Sequence, residues 1–176
     1  MSLQTTKLTY DDYRLIPDDG QRHELIDGDH YVNPAPAPIH QIVLMHISGT
    51  LWQYTLDHGG TVMPAPCDVI LSDGDVLQPD VVYIAPGHER IITNRGVEAA
   101  PDLVVEILSE RTRKLDETCK LKRYSLYGVT EYWLVDIVKK TVRIYRQRDG
   151  ALQLELTTAE PFTSPLLPGL VIQLPE

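Results

Sequence analysis

Three side chains in this sequence sit where their types are hard to explain unless they act together. Glu106 is the only polar residue in Leu103–Leu108, Leu-Val-Val-Glu-Ile-Leu, and a carboxylate inside such a run is unfavourable without a partner. Asp80 is a second acid of this kind, in Gln78-Pro79-Asp80-Val81-Val82-Tyr83-Ile84. Lys120 follows on a strongly basic segment. Together they suit phosphodiester hydrolysis, which needs a divalent cation to generate hydroxide and to offset charge in the transition state. Mg²⁺, or Mn²⁺ in its place, takes one or two carboxylates plus waters and substrate oxygens, and Asp80 and Glu106 would supply the carboxylates. Lys120 would orient the attacking water or steady a phosphate oxygen as a point charge. The same residue types also make ordinary structural ion pairs, and types alone leave that alternative open.

The elements that must position these groups can be read in order. Residues 8–19 predict a short helix capped by Thr9 and ending near Pro17. Two short strands follow around Asp27-Gly28, a favoured hairpin turn. Pro34-Ala-Pro-Ala-Pro38 reads as an extended connector that cannot join a helix. His40 to His58 then carries apolar residues at spacings of three and four and stops at Gly59-Gly60. Strands are expected over 61–65, 68–71 and 78–85, with a turn at Ser72-Asp-Gly-Asp75 and a loop over 86–96. Residues 103–108 are apolar on both faces and predict a central strand. A helix over 112–127 ends at Gly128, and strands at 130–136, 141–147, 152–157 and 170–174 close the chain. Trp52 and Trp133 are expected in the core. This order predicts one α/β (α+β) domain over residues 1–176, built on a mixed sheet.

The composition, 43% hydrophobic and 23% charged, is that of a soluble globular chain. No apolar run is long enough to span a membrane, and the first residues lack a secretory pattern, so a cytoplasmic protein is expected. Cys67 and Cys119 match no zinc spacing and are expected to be free thiols. The net charge of −9 argues against a polyanion partner, but its distribution does not. Residues 1–110 hold 5 Lys/Arg against 17 Asp/Glu, whereas residues 111–148 hold 11 against 4. Such a basic block is either a nucleic-acid footprint or a solvated face. HExxH, GxSxG, P-loop and GxGxxG motifs are absent, which disfavours zinc hydrolase, serine hydrolase, nucleoside triphosphatase and Rossmann readings.

Several stretches together resemble the Uma2 family of the PD-(D/E)xK superfamily. They are Glu24-Leu-Ile-Asp-Gly28, Pro36-Ala-Pro-Ile-His40, Leu71-Ser-Asp-Gly-Asp75 and Gln78-Pro-Asp80. The most specific are Pro101-Asp-Leu-Val-Val-Glu106-Ile-Leu-Ser109, Lys120-Leu121 and Gly128-Val-Thr-Glu-Tyr-Trp-Leu-Val-Asp136. The resemblance covers nearly the whole chain and implies a restriction-endonuclease-like core, a mixed sheet flanked by helices.

By that resemblance Asp80 and Glu106 match the two acids of the motif, and the backbone carbonyl of Ile107 would be a third metal ligand. The position two beyond Glu106 is Leu108, so the motif lysine is missing from the strand. Lys120 matches it on the following helix, with Lys122 as the substitute; the two lie about 200° apart, so one at most faces the site. Glu24 matches an N-terminal acid that can help hold metal, or serves the local turn. His40 would touch substrate or metal from the helix start, or bond to nearby backbone. Arg111, Arg113, Lys114, Lys122 and Arg123 would track phosphates, and Tyr124, one turn from Lys120, would hold a phosphate or pack. Asp102 reads as a strand-entry turn residue outside the site. The implied activity is a Mg²⁺-dependent endonuclease acting on DNA, as a homodimer. The rival reading is a catalytically idle nucleic-acid-binding or assembly module of the same shape.

Overall fold

The computed structural model describes residues 6–175. A short helix α1 (Tyr10–Tyr13) precedes the hairpin β1 (Arg22–Ile26) and β2 (Asp29–Asn33), and the long helix α2 (Pro38–His58) follows. Strands β3 (Thr61–Pro64), β4 (Val69–Ser72), β5 (Asp75–Leu77) and β6 (Val81–Ile84) lead to the two-residue strands β7 (Ile92–Thr93) and β8 (Gly96–Val97). Strand β9 (Leu103–Leu108) enters a helical stretch made of α3 (Arg113–Leu115), a π turn (Asp116–Lys120) and α4 (Leu121–Tyr127). The chain closes with β10 (Glu131–Asp136), β11 (Thr141–Arg148), β12 (Ala151–Thr158), β13 (Phe162–Ser164) and β14 (Leu167–Ile172).

The main sheet has the order β12-β11-β10-β9-β6-β3 and is mixed, β9 running parallel to β10 and antiparallel to β6. A smaller sheet, β2-β1-β5-β4-β8-β7, lies beside it, and β13 pairs with β14. Side chains alternate across each strand, and the core divides accordingly. Val105, Ile107, Trp133 and Val135 face α2 through Val43, Leu44, Ile47 and Leu51. Val104, Leu108, Tyr132 and Leu134 face the other way, towards Tyr124 of α4 and Ile26 of β1. Each fully buried aliphatic side chain here contributes about 1.5–3 kcal/mol relative to exposure. Glu106 shares the parity of Val104 and Leu108, so it points at the helical stretch and the small sheet. The antiparallel pairing Val81↔Val105 places Asp80, the residue just before β6, opposite Glu106, the residue just after Val105, on the same face.

The sequence reading and the structure part at definite places. The Asp27-Gly28 turn forms as expected, with φ of 56° and 73°, the left-handed pair of a tight hairpin. The first helix is only Tyr10–Tyr13, though Thr9 caps it with a reciprocal box through Asp12. Pro38 does join a helix, because the first turn of α2 needs no N–H from it. The expected strand over 78–85 starts only at Val81, and Asp75–Leu77 forms a separate strand of the small sheet. Phe162–Ser164 pairs with a strand that begins at Leu167 rather than Leu170. Trp133 is buried, but Trp52 is 55% exposed on the outer side of α2. Spacings of three and four mark an apolar stripe without saying that α2 carries a second one facing outward.

Candidate active site

Glu106 lines a cleft of about 340 Å³ whose wall also includes Arg22, His40, Asp80, Ile107, Arg111 and Lys120. Its Oε1 accepts from Lys120 Nζ at 2.9 Å and from the Tyr124 hydroxyl at 3.1 Å, while Oε2 has no donor among the described residues. Lys120 Nζ also lies 2.9 Å from Glu24 Oε1 and 3.4 Å from Asp116 Oδ1. One ammonium is therefore shared by three carboxylates. Its position depends on the π turn, which sits in the middle of an otherwise α-helical stretch and turns Asp116 and Lys120 inward together. Such single-turn departures concentrate at functional sites.

Asp80 is anchored differently. Oδ1 accepts from Arg22 Nη1 at 3.0 Å, and Oδ2 accepts from the Ile107 backbone N–H at 2.8 Å and lies 3.1 Å from His40 Nε2. Glu24 is fully buried: Asn33 donates to Oε2, and the Gln78 backbone N–H donates to Oε1 at 2.7 Å. Buried polar atoms that make no hydrogen bond among the described residues remain at Asp116 Oδ1, His40 Nδ1 and Arg22 Nε.

The electrostatics follow from the count. Four buried carboxylates, Glu24, Asp80, Glu106 and Asp116, face two permanent cations, Lys120 and Arg22, with His40 a third only when protonated. Burial lifts the Glu106 carboxyl well above the usual range; Lys120 opposes this, and Asp116, Asp80 and Glu24 add to it. Burial also raises Asp116 against the pull of Lys120. Burial alone would raise Asp80 too, but His40, Arg22 and the Ile107 N–H outweigh it and hold the group ionised. Burial would strip the proton from Lys120, yet the three carboxylates raise it well above its ordinary value. Cation and acid move in the same direction because the ammonium gains from three partners while each carboxylate receives a share of one.

The structure thus brings Asp80, Glu106, Lys120, Glu24 and His40 into one cluster, with Ile107 in the cleft wall. Lys120, 2% exposed, faces the cluster, while Lys122 is exposed on the other side. Asp102 stays outside, accepting from Ala85 N and His88. The basic block is not one stripe. Arg113 is bound to Asp136 at 2.7 Å, and Arg123 is bound to Asp27 and Asp75 at a separate hollow. Tyr124 is 0% exposed, so it cannot hold a phosphate; it packs and donates to Glu106. Only Arg111 and Lys114 border the cleft or the groove next to it, with no ion pair among the described residues.

Sequence reasoning missed Arg22, Asn33 and Asp116. Each had a signal. Arg22 is two residues before Glu24 on the same face of β1, Asn33 lies opposite Arg22 in the hairpin, and Asp116 is four residues before Lys120.

Fold and site together describe a mixed α/β domain with an acid-rich, lysine-bearing cleft at the centre of its main sheet. The chain belongs to the Uma2 family, whose description is "Putative restriction endonuclease"; the match spans residues 10–175. Its fold is similar to the crystal structure of "a putative nuclease belonging to DUF820" from Anabaena variabilis ATCC 29413, with a TM-score of 0.78, 20% identity and 94% of each chain covered. No curated protein matched the chain. No helix among the described residues is long and apolar enough to cross a membrane.

Proposed function

We propose that the protein is a divalent-metal-dependent nuclease that hydrolyses DNA phosphodiester bonds at the Asp80–Glu106–Lys120 cleft. The observation that carries this reading is the imbalance of the cluster: buried carboxylates outnumber permanent cations, Glu106 Oε2 accepts no hydrogen bond among the described residues, and Asp116 Oδ1 has only the ammonium of Lys120 nearby, without a hydrogen bond. Among the described residues no three His, Cys, Asp or Glu side chains are arranged to cage an ion. Mg²⁺ keeps waters and substrate oxygens in its shell and needs only one or two carboxylates. Asp80, Glu106 and the Ile107 carbonyl would hold it, with Glu24 further back against Lys120. When bound, the cation supplies a hydroxide at neutral pH and charge compensation on the phosphoryl oxygens.

The chain's own residues divide the remaining work. Arg22, His40 and the Ile107 N–H keep Asp80 ionised and fixed in orientation. Lys120, held by Glu106, Glu24 and Asp116, carries a proton that it can lend to a phosphate oxygen or use to align the attacking water. Arg111 at the cleft rim positions the strand through its phosphates without reading bases.

The test is Mg²⁺- or Mn²⁺-dependent degradation of DNA by the purified chain. Cleavage is expected to fall by about 10²–10³-fold in Glu106→Gln, on the scale of losing one group that stabilises the transition state, with circular dichroism unchanged. Equal cleavage by the variant, or none by the wild type with any divalent metal, overturns the proposal. A second reading has one observation behind it: both Asp80 oxygens already accept hydrogen bonds from the protein. In that reading the cleft is a catalytically idle binding module. Mn²⁺ binding that disappears in Asp80→Asn speaks for the enzyme, and no binding at millimolar metal speaks for the module.

A further inference from the structure

Beside the acid cleft runs a second groove of about 710 Å³, within the range of about 300–1,000 Å³ typical of ligand sites. The two are continuous: Asn33, Pro34, Arg111 and Thr112 belong to the walls of both. The groove has a mixed character. Tyr31, Val32 and Leu115 give it an apolar side, and Tyr31 is half-buried, with its hydroxyl accepting and donating no hydrogen bond among the described residues. Arg111 and Lys114 give it charge. They are exposed, and neither forms an ion pair among the described residues, unlike Arg113 and Arg123 of the same segment. Acids dominate the cleft next door, so these two cations sit where a polyanion must pass to reach it.

We infer that this groove seats the nucleotide adjacent to the bond being cut, with its phosphate on Arg111 and Lys114 and its base against Tyr31, so that the substrate must be unpaired there. The inference rests on the nuclease reading and names its substrate class. An aromatic ring can stack only on a base face that has lost its neighbour, which single strands, flaps and frayed ends offer and an intact duplex does not. The depth of the site points the same way. Asp80 and Glu106 line the cleft and are almost wholly buried, and a flexible strand reaches such groups more readily than phosphates fixed on a rigid double helix do. Charge complementarity selects the occupant: phosphates for the two free cations, and a flat apolar group for the side between them and β2.

Cys119 provides the readout, because it lines this groove, is partly accessible, and is a free thiol. The full chain carrying Cys67→Ser, which leaves Cys119 as its single thiol, is alkylated with N-ethylmaleimide in Ca²⁺. The probes are a 12-nucleotide single strand and a blunt duplex of the same sequence. The single strand is expected to slow Cys119 modification roughly tenfold, and the duplex to leave it unchanged. Single-strand affinity by fluorescence anisotropy is expected to fall roughly tenfold in Tyr31→Ala and similarly in Lys114→Glu, an exposed position where folding is not at stake. Equal protection by duplex and single strand overturns the inference, as does unchanged Cys119 modification while Glu106→Gln still abolishes cleavage; in both cases the nuclease reading stands. If no DNA is bound or cut by the wild type, both fall together.

Discussion

Strands β9 and β10 lie side by side and parallel, and both bury acids, yet the two sets of acids are treated in opposite ways. On β10, Glu131 is satisfied by the protein alone: Arg146 and Ser164 donate to Oε1 at 2.8 and 2.7 Å, and Trp133 Nε1 donates to Oε2 at 2.8 Å. At the far end, Asp136 accepts from Arg113 at 2.7 Å and from Lys139 N at 3.0 Å, and Arg113 chiefly brings its carboxyl down to about 2. On β9, Glu106 shares one ammonium with two other carboxylates and is pushed well above its usual range. A buried acid with matched donors fastens the fold. A buried acid in excess of its cations is what the proposed metal site requires.

The sharpest way to break this comparison is Lys120→Met. It removes the only ammonium among three buried carboxylates, so folding stability measured by urea denaturation is expected to drop by about 3–5 kcal/mol, with cleavage lost as well. An unaltered midpoint would mean that the cluster is not charge-coupled. Next comes a pair of isosteric changes with opposite expected signs. Glu131→Gln sets an amide NH2 against one of the donors, the Trp133 Nε1–H when the amide oxygen stays with Arg146 and Ser164, and is expected to lose about 1–3 kcal/mol. Glu106→Gln relieves repulsion and is expected to leave the thermal midpoint unchanged or higher, while abolishing activity. If Glu106→Gln destabilises as much as Glu131→Gln does, the two regions are alike and the distinction fails.

A divalent cation should sharpen the contrast from the other side. Mn²⁺ at tenfold its dissociation constant is expected to stabilise the wild type and Glu131→Gln by about 1.4 kcal/mol, and Glu106→Gln not at all. The smallest effect is in the pH dependence, where the regions have opposite signs. Asp136 is depressed in the folded state, so its contribution is present above the ordinary value of 3.8 and is lost as pH falls through about 2. Glu106 is raised in the folded state, so the fold is favoured where it is protonated, and that contribution is lost as pH rises from 4.5 through its folded value. Denaturation of Glu106→Gln should therefore differ from the wild type in its slope above pH 4.5, whereas Asp136→Asn should differ only in acid.

Much of this was legible in the chain. The alternation that sends Glu106 to the opposite face from Val105 and Ile107 follows from strand geometry, and a lone acid in an apolar run announces itself. The helix over 112–127 was visible, and so was the rule that at most one of Lys120 and Lys122 faces inward, but not which one. The π turn was not, because no local propensity marks where a helix takes an extra residue, and with it went Asp116. Long-range partners were equally hidden: Arg22 reaches Asp80 across 58 residues, and Arg123 is drawn to Asp27 and Asp75 by a sheet packing that composition does not encode. The basic block was therefore overcounted as a nucleic-acid surface. Most of its arginines meet acids on neighbouring strands and helices, which a count along the chain cannot show.

The most direct test of the central claim is a calorimetric titration of Mn²⁺ into the wild type at pH 7. Binding that persists in Glu131→Gln and that vanishes in Glu106→Gln is the predicted result. No binding at millimolar metal, or binding indifferent to the loss of the Glu106 charge, would contradict it.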